Sequence, residues 1–130
     1  MGRSPIETVR AVNRCWESGR VDDMRPYLAP QIYMAFPGFV GGSRGLDSFL
    51  DGFRDFVDNS TLVSFSVAEI EEEIVSSTAI VTYRFVFQYE RSGTRYVGRG
   101  RDFWVLQRDG EGWIATHRAM LETSEEEAHD

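Results

Sequence analysis

Asp102 and His117 are the two residues whose types and spacing best suit proton transfer in this chain. A hairpin closing over Gln107–Trp113 places His117 across from the Asp102–Trp104 stretch, directly or diagonally, and diagonal strand neighbours lie about 7–8 Å apart. A histidine oriented by a carboxylate in an apolar cavity can take up or release a proton near neutral pH. Tyr83 adds a phenol hydroxyl that could donate to a ligand oxygen. A blander account of the same residues ties Asp102 to an arginine or a backbone N–H and leaves His117 as a satisfied core residue. The aromatic residues Trp16, Phe36, Tyr83, Phe85, Trp104 and Trp113 are likewise either core or the lining of a ligand cavity.

Composition narrows the chemistry. All 14 basic residues are arginine, so Schiff-base lysines, lysine bases and phosphate-loop lysines are excluded. Two histidines (His117, His129) and one cysteine (Cys15) exclude an internal disulfide and the usual zinc clusters, and no metal or other cofactor is expected. Cys15 sits in a helical pattern, where a lone thiol is usually a small buried hydrophobe. The loop Gly38–Gly45 does not follow phosphate-loop spacing and reads as a mobile lip. The run Arg91, Arg95, Arg99, Arg101 is read as ion-paired with Glu69, Glu71, Glu72 and Glu73, rather than as an anion or nucleic-acid patch.

The 130 residues carry 21 acids and a formal charge of −7, which argues against nucleic-acid partners. Five of those acids fall in residues 122–130, leaving 16 acids against 14 arginines in residues 1–121. The expectation is one domain over residues 1–121 with a frayed acidic tail over 122–130. No apolar run approaches the roughly 20 residues of a membrane span, and MGRSPIETVR has no signal-peptide core, so a cytoplasmic protein without membrane contact is expected.

The elements that must hold these residues follow from periodicity. Ser4, Pro5 and Glu7 form a capping-box signature, and Ile6, Val9, Val12 and Trp16 recur on one helical face. A second short helix is expected from Val21 or Asp22 to Leu28, ended by Ala29-Pro30. Ile32–Phe36 reads as a short strand, and Leu46–Val57 as a third amphipathic helix. The period then drops to two, giving strands over Leu62–Ile74, Thr78–Tyr89, Thr94–Gln107 and Trp113–Glu122, with short polar turns between them. The chain is therefore placed in the α+β class, with three N-terminal helices packed into a curved antiparallel sheet.

Strand alternation assigns faces. Ala79, Val81, Tyr83, Phe85, Phe87 and Tyr89 point towards the helices, as do Asp102, Trp104 and Leu106. On the last strand Trp113, Ala115, His117, Ala119 and Leu121 fall on one face, and Ile114, Thr116, Arg118 and Met120 on the other, unless a bulge shifts the alternation. Ile80, Val86, Phe103, Val105, Ile114 and Met120 give the outer face enough apolar area to suggest a homodimer through it.

The segments VNRCWESGRVDDMRPYLAPQIYMAFP, GLDSFLDGFRDF and GRDFWVLQRDGEGWIATHRAM resemble the nuclear transport factor 2-like superfamily, in particular the SnoaL-like and ketosteroid isomerase-like proteins. The last segment is similar to that family's T-x-V-W-x-x-x-D-G-x-W-x-I-x-H ending, with one extra loop residue. The resemblance spans about residues 5–121 and implies a cystatin-like cone roll around a deep apolar pocket. Of the isomerase's catalytic positions, the base corresponds to Phe36 and the oxyanion tyrosine to about Val12, while the protonated acid falls close to Asp102. Limonene epoxide hydrolase is another relative in that superfamily, and its carboxylate on the last strand meets Ala119 and Leu121 here. The resemblance therefore implies a small-molecule pocket protein of the SnoaL-like type and, as an enzyme, a cofactor-independent isomerase or cyclase acting on an apolar carbonyl compound by acid-base catalysis. Asp102 and His117 would serve as catalytic acid and base, and Trp16, Phe36, Tyr83, Phe85, Trp104 and Trp113 as ligand contacts. The alternative is a non-catalytic ligand-binding or assembly domain on the same cone.

Overall fold

The computed structural model describes residues 2–128. Helix α1 spans Pro5–Glu17. Its start is fixed by a reciprocal pair, the Glu7 N–H donating to Ser4 Oγ (3.1 Å) and the Ser4 N–H to Glu7 Oε1 (3.0 Å). A hydrogen bond from the Ile6 N–H to Glu72 Oε1 (3.0 Å) ties the same turn to the sheet. Val9, Val12, Cys15 and Trp16 fill the buried face, as the 3.6-residue period requires.

Among the described residues two α-helices form. The second expected helix is a 3-10 segment over Val21–Tyr27, with Pro26 inside it and Val21 and Met24 buried three residues apart. Strand β1 (Leu28–Ala35) begins at once and includes Pro30, which a strand tolerates where it has no ladder bond to donate. Pro30 falls in the gap between the paired positions Leu28↔Ala115 and Tyr33↔His117. A 3-10 turn over Pro37–Phe39 leads to a three-residue strand β2 (Gly42–Arg44), which the glycine-rich composition had masked. Helix α2 covers Leu46–Asn59.

Strands β3 (Thr61–Val75), β4 (Thr78–Arg91), β5 (Thr94–Asp109) and β6 (Gly112–Glu127) complete a six-stranded sheet ordered β2-β1-β6-β5-β4-β3. It is mixed, because β1 runs parallel to β6 while the other pairs are antiparallel. Register shifts interrupt β3 against β4 and β5 against β6, with Glu69 (φ 55°) and Glu122 (φ 52°) in the left-handed region at two of them. Bulges of this kind bend long strands, and the curved sheet wraps the two helices.

The segment expected as a frayed tail is strand as far as Glu127. Ser124, Glu125, Glu126 and Glu127 pair with Arg99, Gly98, Val97 and Tyr96. The acidic side chains there are exposed, and the backbone is held by pairing with β5 along one edge. Only His129 and Asp130 of that segment lie outside the described residues. The arginine run is partly ion-paired, with partners other than those expected: Arg101 with Glu122 (2.7 Å) and Arg95 with Glu90 (3.1 Å). Glu69 pairs instead with Arg84 (3.5 Å). No helix among the described residues is long and apolar enough to cross a membrane.

Candidate functional site

The inner faces of β4 and β5 follow the expected alternation. Tyr83 and Asp102 face each other in register, both almost wholly buried (2% exposed). Strand β6 departs from it. Leu106 pairs with Ala115 but Val105 pairs with His117, so Thr116 is an extra residue looped into the strand. The bulge is held by Thr116 Oγ1 donating to the Val105 carbonyl (3.2 Å). Beyond it the faces exchange: His117 is exposed on the outer side, within hydrogen-bond distance of Thr116 Oγ1 (2.9 Å), while Arg118 and Met120 turn inwards. The expected Asp102–His117 pair is therefore not assembled, and Arg118 occupies the interior place.

Arg118 grips Asp102 with a two-pronged contact, Nε to Oδ1 at 3.1 Å and Nη2 to Oδ2 at 3.0 Å. Its guanidinium carbon lies 5.1 Å from the Trp104 ring centroid and 5.4 Å from that of Phe53, within cation–π range. Burial works against the Arg118 charge, and the adjacent Asp102 carboxylate outweighs it, holding the guanidinium above its ordinary range. This matches the blander account of Asp102, a buried carboxylate neutralised by an arginine.

Behind the pair lies a hydrogen-bond relay. The Tyr83 hydroxyl accepts from Asn13 Nδ2 (3.2 Å) and from Trp104 Nε1 (3.1 Å), and Trp16 Nε1 donates to Asn13 Oδ1 (3.3 Å). Burial, reinforced by the Asp102 charge, pushes the Tyr83 phenol far above its usual range, so it remains protonated. Burial also pushes the Cys15 thiol up, the direction of an unreactive core cysteine.

A cavity of about 370 Å³ opens in front of this cluster, within the size range of small-molecule sites. Rings from both helices and the sheet form its walls, among them Trp16, Phe53, Phe56, Phe65, Phe85 and Phe87, with Met34 and Met120 beside them. Phe36 and Pro37 stand at one side, Phe36 being 43% exposed. Of the aromatics singled out in the sequence, Trp16, Phe36 and Phe85 line the cavity. Tyr83 and Trp104 stand behind it in the relay, and Trp113 is core, with the Arg108 guanidinium 4.5 Å over its ring.

Besides Trp16, whose Nε1 is committed to Asn13, four lining residues carry side-chain polar atoms: Asn13, Ser43, Ser48 and Arg118. Two glycine positions shape the space. Gly52 lies within α2 on the cavity wall, where an added Cβ would meet nothing within 4 Å. A helix-interior glycine costs about 1 kcal/mol relative to alanine, so the space is kept open against local helix propensity. On β5, an added Cβ at Gly98 would collide with the Phe87 ring, and one at Gly100 would come within 2.7 Å of Phe85 Cζ. These glycines let both rings lie flat across the strand.

Arg118, Phe53, Phe56 and Gly52 were missed as site residues. A signal for Arg118 was present, since a buried Asp102 needs a cation and Arg118 is the arginine of β6 that can reach it. Nothing in the sequence marks the bulge that turns it inwards.

A model of the SnoaL-like domain matches residues 9–115 of the chain. Among solved structures, a conserved protein from Planctomyces limnophilus superposes with a TM-score of 0.76 at 15% identity, covering 92% of each chain. A candidate ketosteroid isomerase from Shewanella frigidimarina gives 0.70 at 18% identity, covering 87% of this chain and 90% of that one. The CaMKII hub of S. rosetta gives 0.69 at 20% identity, with coverages of 95% and 93%. No curated protein sequence matches significantly.

Proposed function

The chain belongs to the SnoaL-like domain family, and on that premise we propose that it is a small-molecule-binding protein whose cavity receives an apolar, ring-bearing ligand with one oxygen acceptor held by Arg118. The observation that carries this reading is the composition of the cavity wall, which is mostly apolar, half of its lining residues aromatic, with Arg118 as the single charged side chain among them. The wall supplies hydrogen-bond donors but no carboxylate or imidazole. Asp102 is locked behind Arg118 and His117 faces outwards, so proton abstraction from a bound ligand is supported less than binding. Asp102 is then a positioning residue that fixes the guanidinium, and Asn13 fixes the relay from the helix side.

The neutral fluorophore N-phenyl-1-naphthylamine tests this directly. Saturable one-to-one binding, with quenching of Trp16 emission, is the expected result. Gly52→Leu, which fills the cavity from α2 with a better helix former, should abolish binding without lowering the melting temperature. Unaltered binding in that variant would sink the assignment of the site.

A second role, assembly into a homodimer through the outer sheet face, is favoured by half-buried Ile80, Val86 and Phe103, whose side chains lie opposite the cavity-facing set of β4 and β5. Phe103→Glu should then convert dimer to monomer or aggregate in sedimentation velocity. Unchanged sedimentation would refute it.

A further inference from the structure

Resting on the pocket reading above, we infer that the cavity selects a neutral carbonyl-bearing ring compound and rejects the corresponding carboxylate, because the positive charge of Arg118 is already spent on Asp102. A guanidinium has five N–H groups. The contact with Asp102 uses two, through Nε and Nη2, and no other acceptor among the described residues takes the rest. Among the described residues no fully buried side-chain nitrogen or oxygen lacks a partner, so Nη1 must reach open space, and the space beside Arg118 is the cavity. Donors therefore point at a ligand from a pair whose net charge is zero.

The two ligand chemistries fare differently in front of such a pair. A ketone, lactone or quinone oxygen loses little on leaving water and gains a charge-assisted hydrogen bond from Nη1. A carboxylate would lose its hydration and share one guanidinium with the buried Asp102 carboxylate, two anions about a single cation. The rest of the wall offers it only the neutral Asn13, Ser43 and Ser48 among polar side chains. The Arg118 side chain is itself only 11% exposed, so water screens the clash weakly. Asp102 thus acts on specificity without touching the ligand: it removes the electrostatic reward for an anion and leaves the directional donor in place.

The test uses three ligands of nearly one shape, each displacing N-phenyl-1-naphthylamine from the wild-type protein at pH 7.5: 2-acetylnaphthalene, 2-ethylnaphthalene and 2-naphthoate. The expected order of affinity is ketone, then hydrocarbon, then carboxylate, with at least tenfold between first and last. A carboxylate that binds as tightly as the ketone overturns the inference. So does a hydrocarbon that equals the ketone, because Arg118 would then make no contact with the ligand oxygen. If the fluorophore itself fails to bind, the pocket reading fails and this inference with it, an outcome distinct from either reversal. Asp102→Asn keeps the shape and releases the Arg118 charge, so naphthoate should gain at least tenfold relative to the ketone. Should that variant not fold, the wild-type ligand order decides the question alone.

Discussion

The two ends of the barrel-like interior use the same sheet in opposite ways. At the closed end, Val81, Trp104, Leu106 and Ala115 meet Met24 and Leu28, all at 2% exposure or less. Large and small side chains alternate across facing strands there and fill the space. At the open end, β5 presents Gly98 and Gly100 in place of side chains, Phe85 and Phe87 lie across them, and α2 contributes Gly52. The sheet backbone continues unchanged, so the cavity comes from subtracting side chains at a few positions and not from a different fold. Stability is concentrated at one end and recognition at the other, with Asp102, Arg118 and Tyr83 at the boundary.

That division can be broken experimentally. Trp104→Ala should cost about 3–5 kcal/mol in urea unfolding, since it empties a filled site and removes a donor to Tyr83. A cost near 1 kcal/mol would mean that the closed end is not the stabilising one. Gly100→Ala should cost about 1–3 kcal/mol, by driving Phe85 off the strand, and should weaken ligand binding more than Trp104→Ala does per unit of stability lost. Equal effects on binding would remove the distinction between the ends.

The boundary itself has a pH signature. Folding raises the Tyr83 phenol above its ordinary value of 10.0, so its contribution is fully present below pH 10 and declines as pH rises beyond that through the folded value. The melting temperature should therefore fall above pH 10. Tyr83→Phe, which costs about 1 kcal/mol at neutral pH through its lost hydrogen bonds, should flatten part of that fall. Tyr89, raised by burial and by Glu125, supplies another part. An unaltered alkaline slope would remove Tyr83 from the account. The smallest effect belongs to His117→Ala, within about 0.5 kcal/mol and without change in ligand affinity, as for other exposed positions. A large loss of binding would restore His117 to the site.

Much of this architecture can be read from periodicity, because α1, α2, β4 and β5 each bury one uninterrupted face. The inward set from Ala79 to Tyr89, and Asp102 with Trp104 and Leu106, follow directly from alternation. Three features resist such reading, each for a local reason. Strand β6 beyond Leu121 is made of exposed polar residues, four of them acids, held to the fold chiefly by backbone pairing with β5. The Val21–Tyr27 segment buries residues at a spacing of three, which a helical period reads as α. The interior of β6 depends on a single unpaired residue, and neither Thr116 nor its neighbours have a composition that announces a bulge. The aromatic count was informative about a cavity but not about which rings line it, because filled and hollow ends draw on the same residue types.

The Thr116 bulge can also be described as a parity element. Trp113 and Ala115 before it, and Arg118 and Met120 after it, have opposite sequence parity and yet share the inner face. The strand thus encodes two alternative linings, one bearing an imidazole and one a guanidinium, and the looping out of one residue chooses between them. The imidazole version would place a group that exchanges protons in the physiological range, while the guanidinium version places a permanent charge. Within such a cone, the step from a proton-exchanging interior to a charge-fixed one requires no change of side chain, only a one-residue slip in the hydrogen-bond ladder.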